Sequence, residues 1–121
     1  MKKTIFVFLI ALLASAHCFA QKMSPQVKAL QGTWNLVAII NDEESYDEAG
    51  FKAEKIEISY IFKSNELTVR KNNETIGPVN FDAEDGFIKM GAGYEVKLSY
   101  NLQGNILILH ENGYACIYRK R

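Results

Sequence analysis

The stretch "GTWNLVAII", residues 32–40, sets the terms on which the rest of the chain is read. Glycine and threonine lead into the only tryptophan. Apolar residues then alternate, so that Trp34, Leu36, Ala38 and Ile40 fall on one face of an extended strand. The segment before it, "MSPQVKALQG", has a different period. Ser24 suits a helix cap, Pro25 the first helical position, Val27 and Leu30 share a face, and Gly32 suits a helix stop. A short helix over residues 24–31 is therefore expected to run straight into a strand headed by Trp34.

Further along, seven more segments carry a strand pattern: "KIEISYIF", "ELTVRK", "ETIGPVNF", "FIKM", "YEVKLSY", "NILILH" and "YACIYRK". Turn-type residues separate them: Lys63 to Asn65, Asn72-Asn73, "DAEDG", Gly91 to Gly93, "NLQG" and "ENG". No gap after residue 54 has room for a crossover helix, so strands adjacent in sequence should pair antiparallel. Eight short strands in a meander leave two raw edges unless the sheet closes on itself. The expected fold is therefore all-β, an eight-stranded antiparallel up-and-down barrel with a short N-terminal helix. Pro78 lies inside the fourth strand, where it removes a ladder hydrogen bond, and predicts a bulge or break there. The one long connection, residues 41–54, is acidic, carries Tyr46 and Phe51, and reads as a solvated loop.

Residues 1–20 read as a leader rather than as part of the fold. "MKK" is a charged start, "TIFVFLIALLA" a short apolar run, and "SAHCFA" a small-residue approach to a cut before Gln21. Lipid attachment at Cys18 is disfavoured because His17 fills a place that wants a small residue. The expected product is a single domain, residues 21–121, periplasmic or secreted, with no membrane span. Lys2 and Lys3 leave with the leader, so twelve basic residues face fourteen acidic ones. That balance offers no footprint for nucleic acid. Cys116 is the only cysteine after the leader, so packing rather than a disulfide must hold the fold.

Strand parity divides the barrel into two ends. With Trp34 at the lower end, residues 41–54 and the turns at Asn72-Asn73, Gly91 to Gly93 and Glu111 to Gly113 belong to the upper end. The remaining turns return to the lower end. Eight is even, so the last strand also finishes low, and it brings Arg119 and Arg121 beside Trp34.

Gly32-x-Trp34 after a short helix, with a basic residue closing the last strand, resembles the pattern of the lipocalins and, most closely, of small bacterial lipocalin-like domains. The resemblance implies a calycin-type barrel. Gly32, Trp34 and either Arg119 or Arg121 would form its closed end, the Arg lying against the indole. "GTWNLV" is also similar to the opening of fatty-acid-binding proteins, and Tyr118 matches a Tyr of that family. Cys116, however, stands where that family has its carboxylate-binding Arg, and residues 41–54 are too few for its two-helix lid. Avidin-like barrels share the "GTW" opening, but their site is lined by several tryptophans and this chain has one.

The residues offer little catalytic chemistry. His110 and Cys116 are close enough in sequence for a nucleophile pair across the last turn, but a buried thiol and a strand-end imidazole explain them more simply. "DAEDG" has acidic spacing without the loop length of a Ca²⁺ site. No phosphate loop or metal-spaced cluster is present, and no cofactor or metal is expected. An eight-stranded barrel is just wide enough to be filled by its own side chains or to hold one small ligand. The expectation is non-catalytic binding of a small, mostly apolar molecule at the upper end by a monomer. The candidate contacts are Ile40, Tyr46, Phe51, Tyr60, Arg70, Tyr94, His110 and Tyr114. The competing expectation is an exported protease inhibitor or protein-interaction module that uses the upper loops.

Overall fold

The computed structural model describes residues 23–91 and 93–121, and the leader expected over residues 1–20 lies outside them. A helix, α1 (Pro25–Leu30), leads into β1 (Gly32–Ile40). A two-residue strand β2 (Ser45–Tyr46) and a helix α2 (Glu48–Glu54) follow. The remaining strands are β3 (Ile58–Lys63), β4 (Glu66–Lys71), β5 (Glu74–Glu84), β6 (Phe87–Met90), β7 (Val96–Gln103), β8 (Ile106–Glu111) and β9 (Tyr114–Lys120). Strands β3 to β9 pair antiparallel in sequence order, and β9 returns to pair with β1, which also pairs with β3. The result is a closed eight-stranded antiparallel barrel, with β2 added beside the upper end of β1. Closure leaves the eight barrel strands without a free edge of their own except where neighbours diverge.

The lower end is built around the indole. Trp34 is fully buried, and its Nε1–H donates to the Leu30 carbonyl at 2.9 Å, which satisfies one of the carbonyls that a helix leaves unpaired in its last turn. Ser24 caps the other end of α1 by accepting from the Val27 amide at 3.1 Å, and Val27 and Leu30 turn inward with no exposed surface. Gln31 then fastens the β3–β4 turn: its Nε2 donates to the Ser64 carbonyl and its Oε1 accepts from the Ser64 amide.

The cation against Trp34 is Lys120 rather than either arginine. Its Nζ stands 5.4 Å from the ring centroid, and Lys120 and Trp34 are partners in the β1–β9 ladder. Ladder partners share a face, so the residue between Arg119 and Arg121 is the one presented to the indole. Gly32 has φ of +123°, and a Cβ there would come within 3.0 Å of Lys120 Cε. Glycine two residues before the tryptophan thus leaves room for the lysine stem. Arg119 instead pairs with Glu48 of α2 at 3.1 Å, and Arg121 donates to Asn35 Oδ1 at 3.2 Å.

Three local departures from simple alternation matter higher up. In β1, the register against β9 slips between Leu36 and Ala38, a bulge that gives Val37 no partner of its own. The inward face therefore reads Trp34, Leu36, Ile39. Ile39 is 2% exposed and Ile40 is 41% exposed, so the expectation that Ile40 faces inward is corrected by one residue. In β5, Leu67 pairs with Val79 and Val69 with Ile76, so two residues, Gly77 and Pro78, oppose Thr68 alone. This is the irregularity that Pro78 predicts. β5 also continues through Asp82 to Glu84, so the turn is only Asp85-Gly86 rather than the whole of "DAEDG".

The third departure is the segment 41–54, which is structured rather than a loop. Asn41 Oδ1 accepts from the amides of Glu43 and Glu44, β2 pairs with Ile39 and Ile40, and Asp47 caps α2 by accepting from the Gly50 amide. Lys55 ends the helix in the left-handed conformation. The only buried residue of α2 is Phe51, with Tyr46 edge-on at 5.4 Å. The charged residues over 42–54 suggest solvent, but one aromatic anchor and one cap are enough to fold a helix against the barrel.

Alanine at Ile39 is expected to cost about 2–4 kcal/mol and alanine at Ile40 less than about 0.5 kcal/mol. Urea unfolding of the two variants measures the difference, and equal costs would place the bulge elsewhere. Trp34→Ala, which also orphans the Leu30 carbonyl, is expected to cost about 3–5 kcal/mol in the same assay.

Candidate functional site

Aromatic side chains fill the barrel from its floor. Phe62 and Phe81 meet edge-on at 5.0 Å, Phe62 and Tyr60 at 6.3 Å, and the rings of Tyr60 and Tyr118 are tilted at 4.7 Å. All four have 2% exposure or less. Above them the interior becomes polar. Glu111, the last residue of β8, shares the inward face with Leu107 and Leu109 and is 4% exposed. Tyr60 donates its hydroxyl to Glu111 Oε2 at 3.3 Å, from β3 to β8 across the interior. Tyr118 is in turn hydrogen-bonded to Tyr60. Two phenols and a carboxyl thus form one buried chain, with the Cys116 thiol beside it on β9.

Electrostatics follow from this burial. Desolvation pushes the Glu111 carboxyl up to about 7, and the Tyr60 hydrogen bond pulls it partly back. Tyr60 and Tyr118 are raised well above the ordinary phenol value, chiefly by burial. Cys116 is raised as well, first by burial and then by Glu111, so it stays a neutral thiol. Among the described residues, no basic side chain forms an ion pair with Glu111. The acidic partners of Lys89 and Arg119 are Glu84 and Glu48.

Above the polar chain the wall is incomplete. β1 and β3 pair only from Gly32 to Asn35 and from Ser59 to Phe62, and beyond that point they separate. α2 lies over this seam. Beneath it runs a groove of about 920 Å³ lined by Leu36, Phe51, Ile56, Lys52, Lys55 and Asn72 among others. A smaller groove of about 340 Å³ continues along the seam between Val37, Ile58 and Arg119. Asn72 holds the strand ends beside it: its side chain accepts from the Glu57 amide and its own amide donates to the Glu57 carbonyl.

The candidate contacts separate into several places. Tyr60 lies in the polar chain, and Tyr46 and Phe51 pack together at the upper cover. Ile40, His110 and Tyr114 meet, but they line a depression of about 600 Å³ with Asn41 to Glu43 at the upper rim. Arg70 is exposed on the outer face of β4, since its neighbours Leu67 and Val69 take the inward positions. Tyr94 is half-buried in the connection before β7. His110 and Cys116 fall on opposite faces of the sheet, because Leu109 pairs with Cys116 and His110 with Ala115. They form no nucleophile pair.

Glu111 and Tyr118 are the residues that the candidate set lacks. The available signal is alternation: Leu107, Leu109 and Glu111 are two apart, and extending "NILILH" by one residue puts a carboxylate on the apolar face. Reading Glu111 as the first turn residue hides it.

No family model, curated protein or solved structure matches the chain. What the fold defines is a closed eight-stranded antiparallel barrel, consistent with a calycin-like architecture. Among the described residues, no group of His, Cys, Asp and Glu is placed to hold a metal ion.

Glu111 takes up its proton more readily in the folded chain than in the unfolded chain, whose reference value is 4.5. Its contribution is therefore fully stabilising below pH 4.5 and is lost as pH rises through about 7. The loss is on the order of 3 kcal/mol. Glu111→Gln is expected to flatten this part of the stability–pH curve and to raise stability at about pH 8. Urea unfolding across the pH range measures both effects.

Proposed function

We propose that the protein is an exported, lipocalin-like binding protein that holds a small, mostly apolar molecule at its upper end and performs no chemistry on it. The observation that carries the reading is a gradient of burial inside the barrel. On β3, β5 and β9 the inward residues at the lower end, Phe62, Phe81 and Tyr118, are buried, while Ile58, Ile76 and Tyr114 at the upper end are half-exposed. One end is filled and tied shut by α1. The other has apolar walls, a parted seam and a single short helix as its cover. Ligand sites combine apolar lining with a few polar groups, and the groove under α2 offers Leu36, Ile56 and Phe51 together with Lys52, Lys55 and Asn72. The leader-like residues 1–20 support export, and the Gly32-x-Trp34 floor supports the lipocalin-like reading.

α2 is the natural route of entry. Its ties include the Phe51 ring, the Asp47 cap and an exposed bidentate pair between Arg119 and Glu48, with contacts of 3.1 and 3.4 Å. Exposed pairs of this kind contribute about 1 kcal/mol or less. Cover and groove are thus joined by contacts that a ligand can replace.

Phe51→Trp places a reporter at the mouth, where Trp34 is too deep to sense a ligand. A neutral solvatochromic dye is expected to shift the emission of the introduced indole and to raise the melting temperature. Native mass spectrometry of protein from its own host is expected to show a bound species of low mass. A chain that carries nothing, together with emission unmoved by any apolar probe, would overturn the reading.

A further inference from the structure

We infer that the groove beneath α2 takes an amphiphile with an anionic head, its apolar body lying along Leu36 and Ile56 under Phe51 and its head meeting the ammonium groups of Lys52 and Lys55. The inference rests on the proposed binding function and specifies its ligand class.

Charge is spread unevenly over the molecule. The whole sequence has fourteen basic and fourteen acidic residues. The two grooves along the β1–β3 seam share Leu36, Glu48, Ile56 and Glu57, and so form one continuous furrow. Five basic residues line it, Lys52, Lys55 and the run from Arg119 to Arg121, against the two acids Glu48 and Glu57. A neutral chain thus gathers an excess of positive charge at this one place, the pattern that draws in an anion.

Three of the five cations are already engaged. Arg119 holds Glu48 with contacts of 3.1 and 3.4 Å, Arg121 donates to Asn35, and Lys120 stands over the Trp34 ring. The other two are left over by the helix geometry. Glu48, Lys52 and the cap residue Lys55 follow one another at spacings of four and three, a single stripe beside Phe51. A glutamate four residues before a lysine is its usual helical partner. Here both Glu48 oxygens are turned to Arg119 on β9, so Lys52 faces the groove without that partner. Among the described residues, neither Lys52 nor Lys55 has an ion-pair partner.

Ligand classes can be ranked on this arrangement. A cationic head would meet like charge, and a neutral head would leave both ammonium groups to water. An anionic head supplies the missing counter-charge and accepts N–H donors from both lysines. Its position follows as well. Deeper in the barrel the polar groups are Tyr60, Tyr118 and Glu111, which offer an anion no positive charge. The head therefore stays at the mouth, and the body takes the apolar wall. A groove of about 920 Å³ is within the usual size of small-ligand sites.

The test uses the exported protein and three probes of equal chain length: octanoate, octanol and octylammonium. Isothermal calorimetry near pH 7 and at low salt is expected to rank octanoate ahead of octanol by roughly three- to twentyfold, the scale of two ion pairs at a protein surface. Octylammonium should bind weakest. In the double variant Lys52→Gln, Lys55→Gln, octanoate should fall to the level of octanol. Lys97→Gln removes a cation that lies over Phe87 and outside the furrow, and should leave the preference as it was. Octanol bound as tightly as octanoate, a preference that survives in the double variant, or one that Lys97→Gln abolishes equally, overturns the inference and leaves the apolar-ligand reading standing. If none of the three probes binds, the apolar-ligand reading itself fails and takes this inference with it.

Discussion

The hydrogen bond from the Trp34 indole to the Leu30 carbonyl is the constraint on which the architecture turns. It makes one residue the junction of three things: the end of α1, the start of β1 and the seam where β9 closes the barrel. A helix of six residues has little stability of its own. Docked on an indole, with Val27 and Leu30 buried and Gln31 clasping the β3–β4 turn, it becomes a floor. Closure of the sheet and closure of the lower end are therefore the same event.

With that end fixed, everything variable is pushed to the other. The aromatic side chains of Phe62, Phe81, Tyr60 and Tyr118 stack upward until the last hydroxyls have no backbone to satisfy them, and the polar chain to Glu111 begins. Above it, β1 bulges at Val37, parts from β3 after Asn35 and takes on β2 and α2. The bulge and the parting belong together. A strand that turns its face by one residue can no longer follow both neighbours, so the ladder to β9 continues and the ladder to β3 ends.

The parts of this fold visible in the residue pattern are those that rest on period and punctuation. Strand order, closure, the two ends, the α1 cap and the irregularity at Pro78 all follow from alternation and turn chemistry. The Val37 bulge does not, because nothing in "NLVAI" distinguishes a straight strand from a bulged one, and the slip shows only against β9. The same limit hides α2: the charges of residues 42–54 describe its solvent face, and only the docking of Phe51 gives it an inner one. The choice of Lys120 over the flanking arginines depends on which residue is level with Trp34, a matter of register rather than of residue type. Glu111 is legible in principle. It escapes notice because a glutamate before Asn-Gly resembles a turn more than a wall.

The closing ladder also has a kinetic meaning. From β3 onward every strand pairs with its sequence neighbour across a short turn, so most of the sheet can assemble locally as the chain is made. The β1–β9 ladder is the exception, joining residues as far apart in sequence as Trp34 and Lys120. Its loop-closure entropy falls due once, at the end, and the lysine that covers the indole lies on that final strand. A chain still lacking β9 has its other hairpins, two raw edges and an uncovered tryptophan. Commitment to the native state is thus withheld until β9 itself has emerged.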